Sequence, residues 1–131
     1  MSDKSIAQQC GVPDWSLNWI IDEFDSSFNT LAMASLRYHM DYAVTVCEGE
    51  RREQYQAMLD EFEELRDRNT MSREYAEHSA GHRKGLFETA KTDCPECDHY
   101  RYDYFKAEEK HQADIQAARH KFIDLMPGLW S

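Results

Sequence analysis

Apolar side chains recur every three or four residues along most of the chain, in runs separated by short polar breaks, which is the pattern of successive amphipathic helices. The first run opens at Pro13-Asp14, with Asp14 placed as its cap, and carries Leu17, Ile20, Ile21, Phe24 and Phe28. Asp25-Ser26-Ser27 predicts a kink or break. A second run over about 27–47 carries Phe28, Leu31, Leu36, His39, Ala43 and Val46, and Gly49 suits a helix C-terminus there. A third helix over 50–68 follows from the narrow stripe Tyr55, Met58, Leu59, Phe62 and Leu65. Asn69-Thr70-Met71-Ser72 supplies a turn and a new cap. The fourth helix, over about 72–91, is weakened by Gly81 and Gly85, each costing ~1 kcal/mol relative to Ala.

Pro95 suits a first helical turn. From there a long helix over 94–126 presents Tyr100, Tyr104, Ala107, His111, Ile115, Ala118, Phe122 and Leu125, spaced as a bundle seam requires. Pro127-Gly128 ends it and leaves Trp130 beyond. The expected fold is therefore all-α, an irregular helical bundle of four to six helices forming a single domain over 1–131. Composition agrees: 131 residues hold one domain, and only five Gly and three Pro interrupt the helical stretches. No internal repeat, low-complexity tract or linker is visible.

Charge narrows the function classes. With 25 acidic against 15 basic side chains, the formal net charge is −10. Such a surface repels phosphate backbones and anionic lipid, so direct nucleic-acid binding is disfavoured and a protein partner with a basic surface is favoured. A solvated, ion-paired bundle has the same composition. No apolar run reaches the ~20 residues of a membrane helix, and MSDKSIAQQC lacks the apolar core of a secretory signal. The expectation is a cytoplasmic protein. Its four cysteines, Cys10, Cys47, Cys94 and Cys97, are then thiols or metal ligands rather than disulfides.

The sharpest chemical signal is Cys94-Pro95-Glu96-Cys97, whose two thiolates can grip one tetrahedral zinc. His78 and His82, four apart, share one helical face. Together they read H-x3-H-x11-C-x2-C, which resembles a two-Cys, two-His zinc finger written backwards and implies a structural zinc. Geometry sets a condition. Were the helix through His82 to continue to Lys91, Cys94 would lie roughly 18 Å further along its axis at ~1.5 Å per residue. The site therefore requires the helix to end near Gly85 and the chain to loop back. His99 is a substitute ligand. The competing readings are an inert thiol pair, a solvated histidine pair, and a redox pair whose thiol pKa is lowered at a helix N-terminus.

The segment 3–24 fits a helix-turn-helix template, with Ile6, Cys10, Val12, Leu17 and Ile20 at the apolar positions, Ala7 in the tight contact and Gly11 in the turn. This element resembles the helix-turn-helix of repressors and small terminase subunits, which would make the chain a DNA-binding regulator. Its would-be recognition helix carries Asp14, Asp22 and Glu23, and no basic residue lies between Lys4 and Arg37. Glu96-x-x-His99 and Glu108-x-x-His111 match the unit of di-iron bundles, but on one helix they stand about 18 Å apart and cannot share a metal pair. His111 and His39 read as core histidines. No nucleophile elbow, Walker loop or dinucleotide fingerprint is present, and the chain is read as non-enzymatic.

The residues expected to meet a partner are Glu50, Glu53, Asp60, Glu61, Glu63 and Glu64 on the acidic helix, interleaved by Arg51, Arg52, Arg66 and Arg68. Trp15 and Trp19 join them as aromatics of a type enriched at interface hot spots. Size and charge suggest, by analogy, an inhibitor or regulator of a host nucleic-acid machine, such as an anti-restriction or anti-CRISPR-like accessory protein of a phage or mobile element. The alternatives are the helix-turn-helix regulator and a virion or assembly component. A homo-oligomer is compatible with both.

Overall fold

The computed structural model describes residues 4–82 and 94–129, His82 by its backbone alone. Six α-helices and a closing 3-10 turn make up the described residues, with no strand: α1 Ile6–Gln9, α2 Leu17–Asp22, α3 Phe24–Asp41, α4 Gly49–Asp67, α5 Arg73–His82 and α6 Pro95–Leu125, then Met126–Gly128. The fold is all-α, as the periodicity predicts. The chain divides into two compact units, 1–66 with 116–131, and 67–115.

The first unit holds the larger core. Ala32, Met33, Leu36 and Met40 of α3 are buried, as are Ala118 and Phe122 near the end of α6. All five residues of the α4 stripe, Tyr55, Met58, Leu59, Phe62 and Leu65, are buried with them. Phe122 presents its edge to Phe28 at 6.0 Å and to Phe62 at 5.9 Å between ring centroids, the geometry that ring quadrupoles favour. Cys10 and Cys47 are buried free thiols.

Element boundaries in this unit differ from the sequence expectation, each for a local reason. Ser16, not Asp14, caps α2: its hydroxyl accepts from the Trp19 N–H at 3.1 Å, so the helix starts at Leu17. The break falls at Glu23, with φ −103° and ψ 45°, rather than at 25–27. Asp25 and Ser27 instead belong to the start of α3. An acidic side chain is favourable there, and the fully buried Ser27 donates its hydroxyl hydrogen to the carbonyls of Ile20 at 3.2 Å and Phe24 at 3.3 Å. α3 ends at Asp41, short of Cys47, and Val46 is 73% exposed rather than core. Arg52 closes that end by donating to the Met40 carbonyl at 2.7 Å. Gly49, at φ +66°, opens α4 instead of ending a helix; the conformation is one that few other residues adopt.

In the second unit Ser72 caps α5 as predicted, accepting from the Tyr75 N–H at 3.0 Å. α5 is described as far as His82, and the rest of the helix expected over 72–91 lies outside the described residues. Along the first part of α6, the stripe residues Tyr100, Tyr104, Ala107, His111 and Ile115 are half-buried. Tyr75 stacks on Tyr100 at 5.9 Å and 6°, and meets Tyr104 edge-on. Asp114 accepts from Arg68 at 2.7 Å and Lys110 at 2.8 Å. No described helix is long and apolar enough to cross a membrane.

Candidate metal centre

The C-x2-C spacing places both sulfurs at the start of α6. Cys94 immediately precedes the helix and its sulfur accepts from the Cys97 N–H at 3.4 Å, taking the role of a capping side chain. Pro95 is the first helical residue, where a missing N–H costs nothing. His78 comes from α5. Its Nε2 lies 3.1 Å from the Cys97 sulfur and 3.4 Å from the Cys94 sulfur. A helix continuous from His78 to Cys94 would hold them about 24 Å apart at ~1.5 Å per residue, whereas their ligand atoms stand 3.4 Å apart.

These three ligand atoms lie within 4.8 Å of one another and could hold a metal ion. Zinc bonds of about 2.3 Å to sulfur and 2.0 Å to nitrogen, at tetrahedral angles, set sulfur and nitrogen roughly 3.5 Å apart. The observed separations fit that figure. Cys97 is 5% exposed, Cys94 and His78 are half-buried, and the His78 ring rests 5.2 Å from that of Tyr100. Burial first, and then the Cys94 sulfur, push the Cys97 thiol above its ordinary pKa. A redox thiol needs the opposite shift.

The four predicted ligands fare differently. His78, Cys94 and Cys97 come together. The His82 side chain, Gly85 and the segment to Asp93 lie outside the described residues, as does Trp130. His99, the substitute, is not in the cluster. Two residues beyond Cys97 it is turned roughly 200° around the helix, and its Nε2 pairs with Asp103 at 3.4 Å. The residue that sequence reasoning missed is Glu96. Its Oε2 lies 3.5 Å from His78 Nδ1, on the side of the ring away from the sulfurs. The sequence carries a signal for it, since Glu96 sits inside the C-x2-C turn as well as in a Glu-x-x-His unit. Glu108, the other such carboxylate, accepts from the Thr70 hydroxyl.

The helix-turn-helix template is not realised. α1 has four residues and α2 six. Cys10 is buried, but Ile6 and Leu17, both core positions of the template, are 48% and 77% exposed. α2 carries Asp22 and no Lys or Arg.

The predicted partner residues also divide. Glu61 pairs with Lys121 at 2.8 Å and Glu63 with Arg37 at 3.0 Å, so both are ties within the first unit. Glu50, Glu53, Asp60 and Glu64 are exposed, Asp60 accepting from Gln56. Trp15 and Trp19 pack on each other with ring centroids 4.5 Å apart. The segments of the first unit hold 14 acidic against 7 basic residues, and Arg37, Arg52, Arg119 and Lys121 each lie against a carboxylate. The chain matches no protein-family model, no curated protein and no solved structure.

Proposed function

We propose that this is a non-enzymatic, cytoplasmic binding protein that inhibits or regulates a nucleic-acid machine by occupying a basic surface on it, with one structural zinc at His78, Cys94 and Cys97. One observation carries the reading. Four of the seven cations of the first unit, Arg37, Arg52, Arg119 and Lys121, are engaged by its own carboxylates, while Glu50, Glu53 and Asp60 face solvent. The residual field is negative on the α4 face, and electrostatic complementarity to a positive partner gives specificity and speeds encounter. Two thiolates and an imidazole are a donor set that suits zinc.

The test is an affinity capture from nuclease-treated bacterial host lysate, run beside a Glu50→Lys, Glu53→Lys, Asp60→Lys triple variant. The reading expects a stoichiometric nucleic-acid enzyme, released by salt and lost with the variant. Recovery of DNA in an untreated lysate would move the function to the regulator. Recovery of nothing but the protein's own oligomer would move it to an assembly component.

A further inference from the structure

We infer that Glu96 is a positioning residue for the metal, accepting a hydrogen bond from His78 Nδ1 and thereby fixing the ring so that Nε2 faces the two sulfurs. The inference rests on the zinc reading above and adds a group to it that is not a ligand. The two nitrogens of His78 have separate neighbours: Nε2 faces Cys97 at 3.1 Å and Cys94 at 3.4 Å, and Nδ1 faces the Glu96 carboxylate at 3.5 Å. An imidazole that ligates through Nε2 must be neutral with its proton on Nδ1, and that N–H then needs an acceptor. Metal-bound histidines commonly give it to a carboxylate, which sets the tautomer and makes the ring a better donor.

The local sequence explains why one short turn can do this. Cys94, Glu96 and Cys97 occupy the cap and first turn of α6, so the backbone that places the sulfurs also places the carboxylate. A negative side chain is favoured in that first turn by the helix dipole. Charge is balanced as well. Two thiolates neutralise a divalent ion, the imidazole adds nothing, and the carboxylate compensates the positive end of the helix. The fourth position of the tetrahedron lies outside this trio.

The experiment uses the full chain, reduced and stripped by chelator, titrated with Co²⁺ and then with competing Zn²⁺. The wild type should bind one ion per chain with a thiolate-to-cobalt absorption band, and Cys94→Ser or Cys97→Ser should lose that band. Glu96→Ala should leave the cobalt spectrum at saturation unchanged and weaken zinc binding roughly 10- to 100-fold. Glu96→Gln, which keeps an acceptor without the charge, should fall between the two. The melting temperature of the metal-free Glu96→Ala chain should fall no further than that of metal-free Glu96→Gln, which loses the same charge at the start of α6. Zinc binding by Glu96→Ala as tight as the wild type's overturns the role of Glu96 and leaves the zinc reading standing. A further fall in the metal-free Glu96→Ala chain overturns it too, by making the effect structural. A wild type that binds neither ion overturns both.

Discussion

Arg37 joins the carbonyl of Cys10, 2.8 Å from Nη1, to the carboxylate of Glu63, 3.0 Å from Nη2, and so ties the N-terminal segment to α4 through α3. α1 buries no residue of its own. It is held by this link, by buried Cys10, and by the Tyr42 hydroxyl donating to the Gln9 side chain at 3.1 Å. Gly11 makes the approach feasible: its φ is +107°, and a Cβ there would stand 2.6 Å from Arg37 Nη1.

Arg37→Ala should therefore cost about 1–3 kcal/mol, because it leaves the carbonyl of a buried residue without its charged donor. Gly11→Ala should cost a similar amount, through backbone strain and the displaced guanidinium. Denaturant midpoints measure both. Hydrogen exchange should show the loss first in residues 5–12. A midpoint for Arg37→Ala within error of the wild type's would show that water satisfies the carbonyl as well as the guanidinium does.

Ser27 is a polar side chain with no exposure, and its two acceptors explain it. The Ile20 carbonyl lies in the last turn of α2, where no helical N–H is left to reach it. Ser27→Ala should destabilise by ~1 kcal/mol. Ser27→Leu should cost ~1–3 kcal/mol through overpacking. Alanine as stable as serine in thermal melts would mean that the hydroxyl adds nothing to the join between α2 and α3.

Phe122 is the point where α3, α4 and the end of α6 meet, through Phe28 and Phe62. Phe122→Ala should cost ~3–5 kcal/mol, a large share of a small protein's stability. Phe122→Leu should cost less by keeping most of the volume. Far-ultraviolet circular dichroism and urea titration would separate the two. Equal losses would argue against a shape-specific aromatic cluster.

The legible parts of this protein are those where many residues repeat one signal. The stripe from Tyr55 to Leu65 and the seam of α6 each carry several turns of periodicity; the structure buries the first throughout and the second at Ala118 and Phe122, with the rest of the seam half-buried. The segment up to Asp22 is less legible because its helices, α1 and α2, are short. Leu17 and Ile21 sit four apart, as a core face would, yet they are 77% and 72% exposed. Six residues are too few for periodicity to tell the buried face from the open one. Asp25 and Ser27 read as breakers because their helical roles depend on Arg119 and on the Ile20 carbonyl, and neither is adjacent in sequence. The cluster of His78, Cys94 and Cys97, which could hold a metal ion, was legible from residue type and spacing. Glu96 was not, because its part depends on which nitrogen of His78 faces the sulfurs.

The second unit should respond to pH at both ends, and Glu108 links the two. The Thr70 hydroxyl, and then that of Tyr104, hold Glu108 below the ordinary carboxylate range. Lys110, followed by Arg68, does the same to Asp114. The unfolded chain therefore takes up protons more readily than the folded one in acid. The stability these carboxylates contribute is present above their ordinary values, near 4, and is lost as pH falls through the lowered ones. Tyr104 runs the other way. Glu108 raises its phenol above the ordinary value, so its contribution is present below about pH 10 and is lost as pH rises through the raised value. In metal-free chain, thermal melts against pH should show stability falling below pH 4 and again above pH 10. Asp114→Asn should flatten the acid arm and Tyr104→Phe the alkaline one. Glu108→Gln should flatten both in part, since one carboxylate lowers its own titration and raises its neighbour's. A Glu108→Gln profile with the alkaline arm intact would show that the phenol owes its shift to burial rather than to that carboxylate.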